Sequence, residues 1–131
     1  MTVTFEIPYP SPRLSPNARG HWAKSSPIRK AYRHECATEC RIQGAKKMQG
    51  KVHAIITFHP PDKRRRDLDN MLSSFKSGID GIVDAIGVDD SEWTITISKA
   101  APVVGGKVVV GIKPLLENMR VVEVPIVGEI S

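Results

Sequence analysis

The chain has 131 residues, 40% of them hydrophobic and 25% charged, enough for one modest core and too few for two. No apolar run approaches the ~20 residues of a membrane span, and the composition is not that of a disordered chain. With 19 Lys and Arg against 14 Asp and Glu the net charge is +5. That charge is unevenly divided. Residues 1–66 hold 14 Lys and Arg and 4 Asp and Glu, whereas residues 67–131 hold 5 and 10. A basic half meeting an acidic half predicts a polyanion-binding surface beside a carboxylate site. No signal peptide is visible and no membrane partner is expected, so the expected compartment is the cytoplasm.

Val3, Phe5 and Ile7 alternate with other residues and predict a short strand ended by Pro8 and Pro10. Residues 8–27 contain five prolines and read as a loop. Ser26 and Pro27 predict a helix start, and the helix is expected to run to Met48, with Gly50 as its stop. Ile28, Tyr32, Cys36 and Cys40 recur every four residues and form its core face. His21, His34, His53 and His59 show no zinc-ligand spacing to the two cysteines, which make no disulfide framework, so helix-face packing is expected for Cys36 and Cys40.

Val52, Ala54, Ile56 and Phe58 predict a second strand, ended by Pro60 and Pro61. From about Asn70 to Ile86, Met71, Leu72, Phe75, Ile79, Ile82, Val83 and Ile86 form an apolar helical stripe. Ser73, Lys76 and Asp80 fall on its polar face. A third strand is expected over 92–98, with Trp93, Ile95 and Ile97 on one side. Val104–Gly106 begins a turn and 108–112 makes a fourth strand. The order β-α-β-α-β-β predicts an α+β domain: a small mixed sheet of about four strands with two helices on one face. The whole of 1–131 reads as one domain, with 113–131 a tail that either adds an edge strand at Val121–Val127 or packs on a partner.

The chemistry concentrates in Lys63-Arg64-Arg65-Arg66-Asp67-Leu68-Asp69-Asn70. Four consecutive cations repel one another unless an anion compensates them. On extended backbone, Asp67 and Asp69 would project to the same side. Two convergent carboxylates are hard oxygen ligands suited to Mg²⁺ or Mn²⁺, although Asp at a helix entrance is also a common cap. A second acidic pair, Asp89 and Asp90, follows the helix. A straight helix between the pairs would hold them roughly 25 Å apart. The helix is therefore expected to be shorter or to break, at Gly78 or Gly81, or else the pairs meet across a dimer interface.

Lys63–Asn70, the helix behind it and Val88-Asp89-Asp90 together resemble the RusA family of Holliday junction resolvases. Leu14-Ser15-Pro16-Asn17-Ala18-Arg19, His21-Trp22 and Lys30-Ala31-Tyr32-Arg33 are similar to the opening of its bacteriophage-type members. The likeness covers roughly residues 5–112. It implies a small dimeric endonuclease that cuts four-way DNA junctions in a Mg²⁺-dependent or Mn²⁺-dependent reaction. The family's metal-binding aspartates fall at Asp67, Asp69 and Asp90, with Asp89 in support. Its catalytic lysine would fall at Ser73, which is a departure. Lys76, one turn further on, is the candidate in its place, and a solvated lysine paired with Asp80 is the alternative. The DNA-binding candidates are Lys63, Arg64, Arg65, Arg66, Arg19, Arg29, Lys30 and Arg33. A branched-DNA-binding protein without cleavage is the rival reading. A metal-dependent transferase using Asp-Leu-Asp is a weaker one, because no Gly-rich nucleotide cradle is present.

Overall fold

The computed structural model describes residues 2–15 and 22–115, without the side chains of 22–25. Strand β1 (Val3–Pro8) is followed by a 3-10 turn at Pro12–Leu14 and helix α1 (Trp22–Ile42). Then come β2 (Val52–His59), α2 (Leu68–Ser74), α3 (Lys76–Ile86), a 3-10 turn at Asp90–Glu92, β3 (Trp93–Lys99) and β4 (Lys107–Pro114). The four strands form one sheet in the order β1-β4-β2-β3. Pairing is antiparallel except between β2 and β3, which run parallel with Val52 opposite Trp93 and Phe58 opposite Lys99. This is a small α+β domain on a mixed sheet.

Period-two alternation decides which face is covered. Phe5, Ile7, Val52, Ala54, Ile56, Phe58, Val108, Val110 and Ile112 are buried against Tyr32, Cys36 and Cys40 of α1 and the apolar stripe of α2 and α3. Trp93 is only 8% exposed and its Nε1 donates to the Val88 carbonyl. Ile95 shares its side of the sheet yet stays 40% exposed, because β3 is an edge strand. Cys36 and Cys40 are free thiols, and burial pushes both up to about 12.

Helix α1 starts at Trp22, a turn earlier than expected, and takes Pro27 into its body. It also stops earlier. Gly44 has φ 97°, its N–H donates to the Arg41 carbonyl, and Ala45 N–H reaches the Cys40 carbonyl, so Gly44 rather than Gly50 ends the helix.

The second helical stretch is interrupted at Phe75, which has φ −91° and ψ 2°. The Phe75 ring is fully buried, edge-on to Phe58 at 5.8 Å and to Tyr32 at 6.3 Å. Truncating such a ring costs about 3–5 kcal/mol. Neither Gly78 nor Gly81 is the break. Both lie inside α3, where a Cβ on Gly78 would strike the Phe75 ring and one on Gly81 would strike the Arg33 carbonyl of α1. They are spacing residues that let ring and helix approach. Val121–Val127 lies outside the described residues; β4 itself ends at Pro114, and Leu115 N–H donates to the Lys51 carbonyl.

Candidate functional site

β2 delivers the chain through Pro60 and Pro61 into the basic run, and Asp62 organises that run. Its carboxylate accepts from the Arg66 Nη1 at 2.9 Å and from the Arg64 N–H at 3.0 Å, and lies 3.8 Å from the Arg64 Nε. Arg66 Nη1 also donates to the carbonyls of Asp62 and Arg64. Hydrogen bonding from Arg66, then from the Arg64 backbone, holds the Asp62 carboxyl below the usual carboxylate range. The anion that compensates Arg64 and Arg66 is thus Asp62, the residue before the basic run. The sequence signal for this pair is an Asp and an Arg four apart, at 62 and 66, outside the residues singled out as the site. Arg66 is consequently a loop-building residue, half-buried and engaged, whereas Lys63, Arg64 and Arg65 are exposed.

Asp67 stands at the N-cap of α2 on extended backbone (φ −88°, ψ 141°), but its side chain makes no capping hydrogen bond. The ordinary structural role of an aspartate at that position is left unused. Asp69 is already within the first turn of α2, so the extended-chain alternation expected to carry both carboxylates to one side ends at Asp67. Asp69 Oδ1 accepts the N–H of Asn70 at 2.9 Å. Both carboxylates are exposed. Lys76 opens α3, exposed, and no ion pair to Asp80 forms.

The second acidic pair divides by role. Asp89 caps its 3-10 turn, Oδ2 accepting the Ser91 N–H at 3.0 Å, and the Ser91 contacts lower its pKa. Asp90 is exposed and carries no such bond. The parallel register decides where the pairs lie. Asp67 and Asp69 follow the end of β2 marked by His59, while Asp89 and Asp90 precede the end of β3 that sits beside Val52. Seven residue steps of strand, roughly 23 Å, separate those ends. The break at Phe75 does not bring them together. Among the described residues no group of three His, Cys, Asp or Glu side chains could hold a metal ion.

Of the remaining nucleic-acid candidates, Arg33 is engaged with Asp84 of α3 through two hydrogen bonds, at 2.8 and 2.9 Å. Lys30 is exposed, Arg29 is half-buried, and Arg19 lies outside the described residues. A cleft of about 570 Å³ adjoins Asp67, lined among others by Tyr9, Pro12, Pro61, Arg65 and Asn70. Burial raises the Tyr9 phenol above its ordinary value, against a lowering by Arg66. Nothing in the sequence marks Tyr9, since a lone tyrosine among prolines carries no pattern.

Fold and site together define a small α+β domain with an arginine-flanked, uncapped aspartate at one end of its sheet. The chain matches no family model. It is similar to a protein of Xylella fastidiosa (strain Temecula1 / ATCC 700964) described as uncharacterized, with 41% identity over 94 residues, or 69% of this chain. The chain spans 61% of that relative's length. Among the described residues no helix is long and apolar enough to cross a membrane.

Proposed function

We propose that the chain is a divalent-metal-dependent endonuclease of the RusA kind, acting on four-way DNA junctions as a homodimer. The observation that carries this reading is Asp67: an N-cap aspartate whose side chain makes no capping bond, two residues after exposed Arg65 and next to the engaged Arg66. A carboxylate left solvated beside cations, with Asp69 two residues on, suits a hard cation and a phosphate together. Asp69 has one oxygen uncommitted by its bond to Asn70, and Asp90 is likewise uncommitted, whereas Asp89 is engaged as a cap. Asp67, Asp69 and Asp90 are therefore the residues that would hold Mg²⁺ or Mn²⁺. When bound, such an ion supplies Lewis acidity toward a phosphate oxygen and a water of lowered pKa.

The separation of the acidic pairs is what makes a dimer necessary to this reading. β3 is an edge strand with Thr94, Ile95, Thr96, Ser98 and Lys99 exposed. Two copies joined antiparallel along β3 about a two-fold axis lay the start of one β3 against the end of the other. Asp90 of one copy then meets the end of the sheet carrying Asp67 and Asp69 of the other. Each two-fold dimer has two equivalent composite sites, as two symmetric cuts require. Arg64, Arg65 and Lys63 position phosphates without reading sequence. Lys76 places a cation where negative charge develops on the phosphate.

The test is incubation with a synthetic four-way junction and a linear duplex, with and without Mg²⁺. Paired symmetric cuts in the junction, only with metal, are the expected result. Tight junction binding without cleavage in Mg²⁺ or Mn²⁺ would replace this reading with that of a binding protein.

A further inference from the structure

The cleft beside Asp67 has a composition that phosphate contacts alone do not use. Tyr9, Pro10, Pro12 and Pro61 give it stiff, flat apolar lining, while Arg64 and Arg65 supply cations. The lining is held in place: a Cβ on Gly106 would stand 2.9 Å from the Tyr9 Cβ and 3.1 Å from the Pro61 Cδ, and Val103 N–H donates to the Pro60 carbonyl. At about 570 Å³ the cleft has the size of a small-ligand site, ~300–1,000 Å³. A base-paired duplex cannot enter it. One nucleotide out of the stack can, and that nucleotide brings both a π-face for tyrosine and proline and a phosphate for arginine.

Resting on the endonuclease reading above, we propose that this cleft takes a single unpaired nucleotide at the DNA branch point, its base against Tyr9 and the prolines and its phosphate toward Arg64 and Arg65. Branched DNA is then preferred over duplex because only a branch offers such a nucleotide at low unstacking cost. The amide of Asn70, which also lines the cleft, supplies a donor and an acceptor for a base edge.

The experiment measures binding of the metal-free protein, by fluorescence anisotropy, to a linear duplex and to the same duplex carrying one extrahelical thymidine. The bulged duplex should bind about tenfold tighter, in the range of one base–aromatic contact. Tyr9→Leu should remove that preference and leave affinity for the plain duplex within twofold. Ser74→Leu, which enters the cleft from α2 and leaves the Tyr9–Gly106 contact intact, should do the same and decides the matter if Tyr9→Leu fails to fold. Equal binding of bulged and plain duplex by the unaltered protein, or a preference surviving in folded variants, overturns the inference. Mg²⁺-dependent junction cleavage accompanying that outcome would leave the endonuclease reading standing. Absence of binding to any DNA overturns both.

Discussion

Arg33 of α1 and Asp84 of α3 meet end to end, Nε to Oδ2 at 2.8 Å and Nη2 to Oδ1 at 2.9 Å. The same turn of α3 receives two further cations, since the Asp84 carbonyl accepts from Arg41 Nη2 and Lys47 Nζ. These bonds secure the end of α3, from which the chain turns through Gly87 toward Asp89 and Asp90. Arg33 therefore ties α1 to α3. Asp84→Asn should lower the melting temperature by a few degrees and leave DNA affinity unchanged, as read by thermal denaturation and anisotropy.

The pH dependence of stability follows from the same contact. Hydrogen bonding from Arg33 lowers the Asp84 carboxyl below its ordinary value, and Asp62 and Asp89 are lowered by their own partners. A carboxylate with a depressed folded-state pKa contributes stability that is present above its unfolded value, about 3.9, and is lost as pH falls through the folded value. Urea midpoints should be flat from pH 7 to 5 and fall below pH 4. In Asp84→Asn that acid slope should be shallower.

Gly81 should tolerate no side chain. Its Cβ would overlap the Arg33 carbonyl and come within 2.9 Å of the Cys36 Cβ, forcing α1 away from α3. Gly81→Ala should cost about 1–3 kcal/mol by urea unfolding, the usual range for overpacking. Gly111→Ala is the control, because a Cβ there meets only Thr2 at 3.7 Å. Its stability should stay within about 1 kcal/mol of the parent.

Asp67→Asn and Asp90→Asn should each abolish Mg²⁺-dependent cleavage while junction binding persists. Mixing and refolding the two variants together distinguishes composite from single-chain sites. In a mixed dimer with shared sites, one site loses both aspartates and the other keeps both, so nicking of one strand should return. Sites within a single chain would remain dead in every combination. Gel analysis of junction products reads the difference directly.

Arg64→Ala with Arg65→Ala should weaken binding to every DNA form alike. The log–log salt slope should fall by about 1.8 if each arginine neutralises one phosphate. Arg66 is left out of this variant because its guanidinium builds the loop through Asp62.

Lys76→Ala should slow single-turnover cleavage of saturating junction by roughly 10²-fold while changing affinity little. Thermal stability should hold or rise slightly, since a cation in the first turn of a helix opposes its dipole. A cleavage rate equal to the parent's would make Lys76 a solvated lysine and nothing more.

Much of this molecule could be read without its structure, because the decisive signals are local. Alternation in Val52–Phe58 and the helical spacing of Met71, Phe75, Ile79, Ile82 and Ile86 depend only on neighbours a few residues apart, and these residues form the core as expected. The element order and the acidic and basic segments follow from the same kind of pattern. What tertiary structure decided was long-range pairing. Arg33 and Asp84 are 51 positions apart, and no periodicity announces such a partner. The break at Phe75 depends on a ring keyed between Tyr32 and Phe58, from two other elements. The position of the two acidic pairs at opposite ends of the sheet depends on β3 running parallel to β2, a choice made by packing of the whole sheet and invisible in either strand alone.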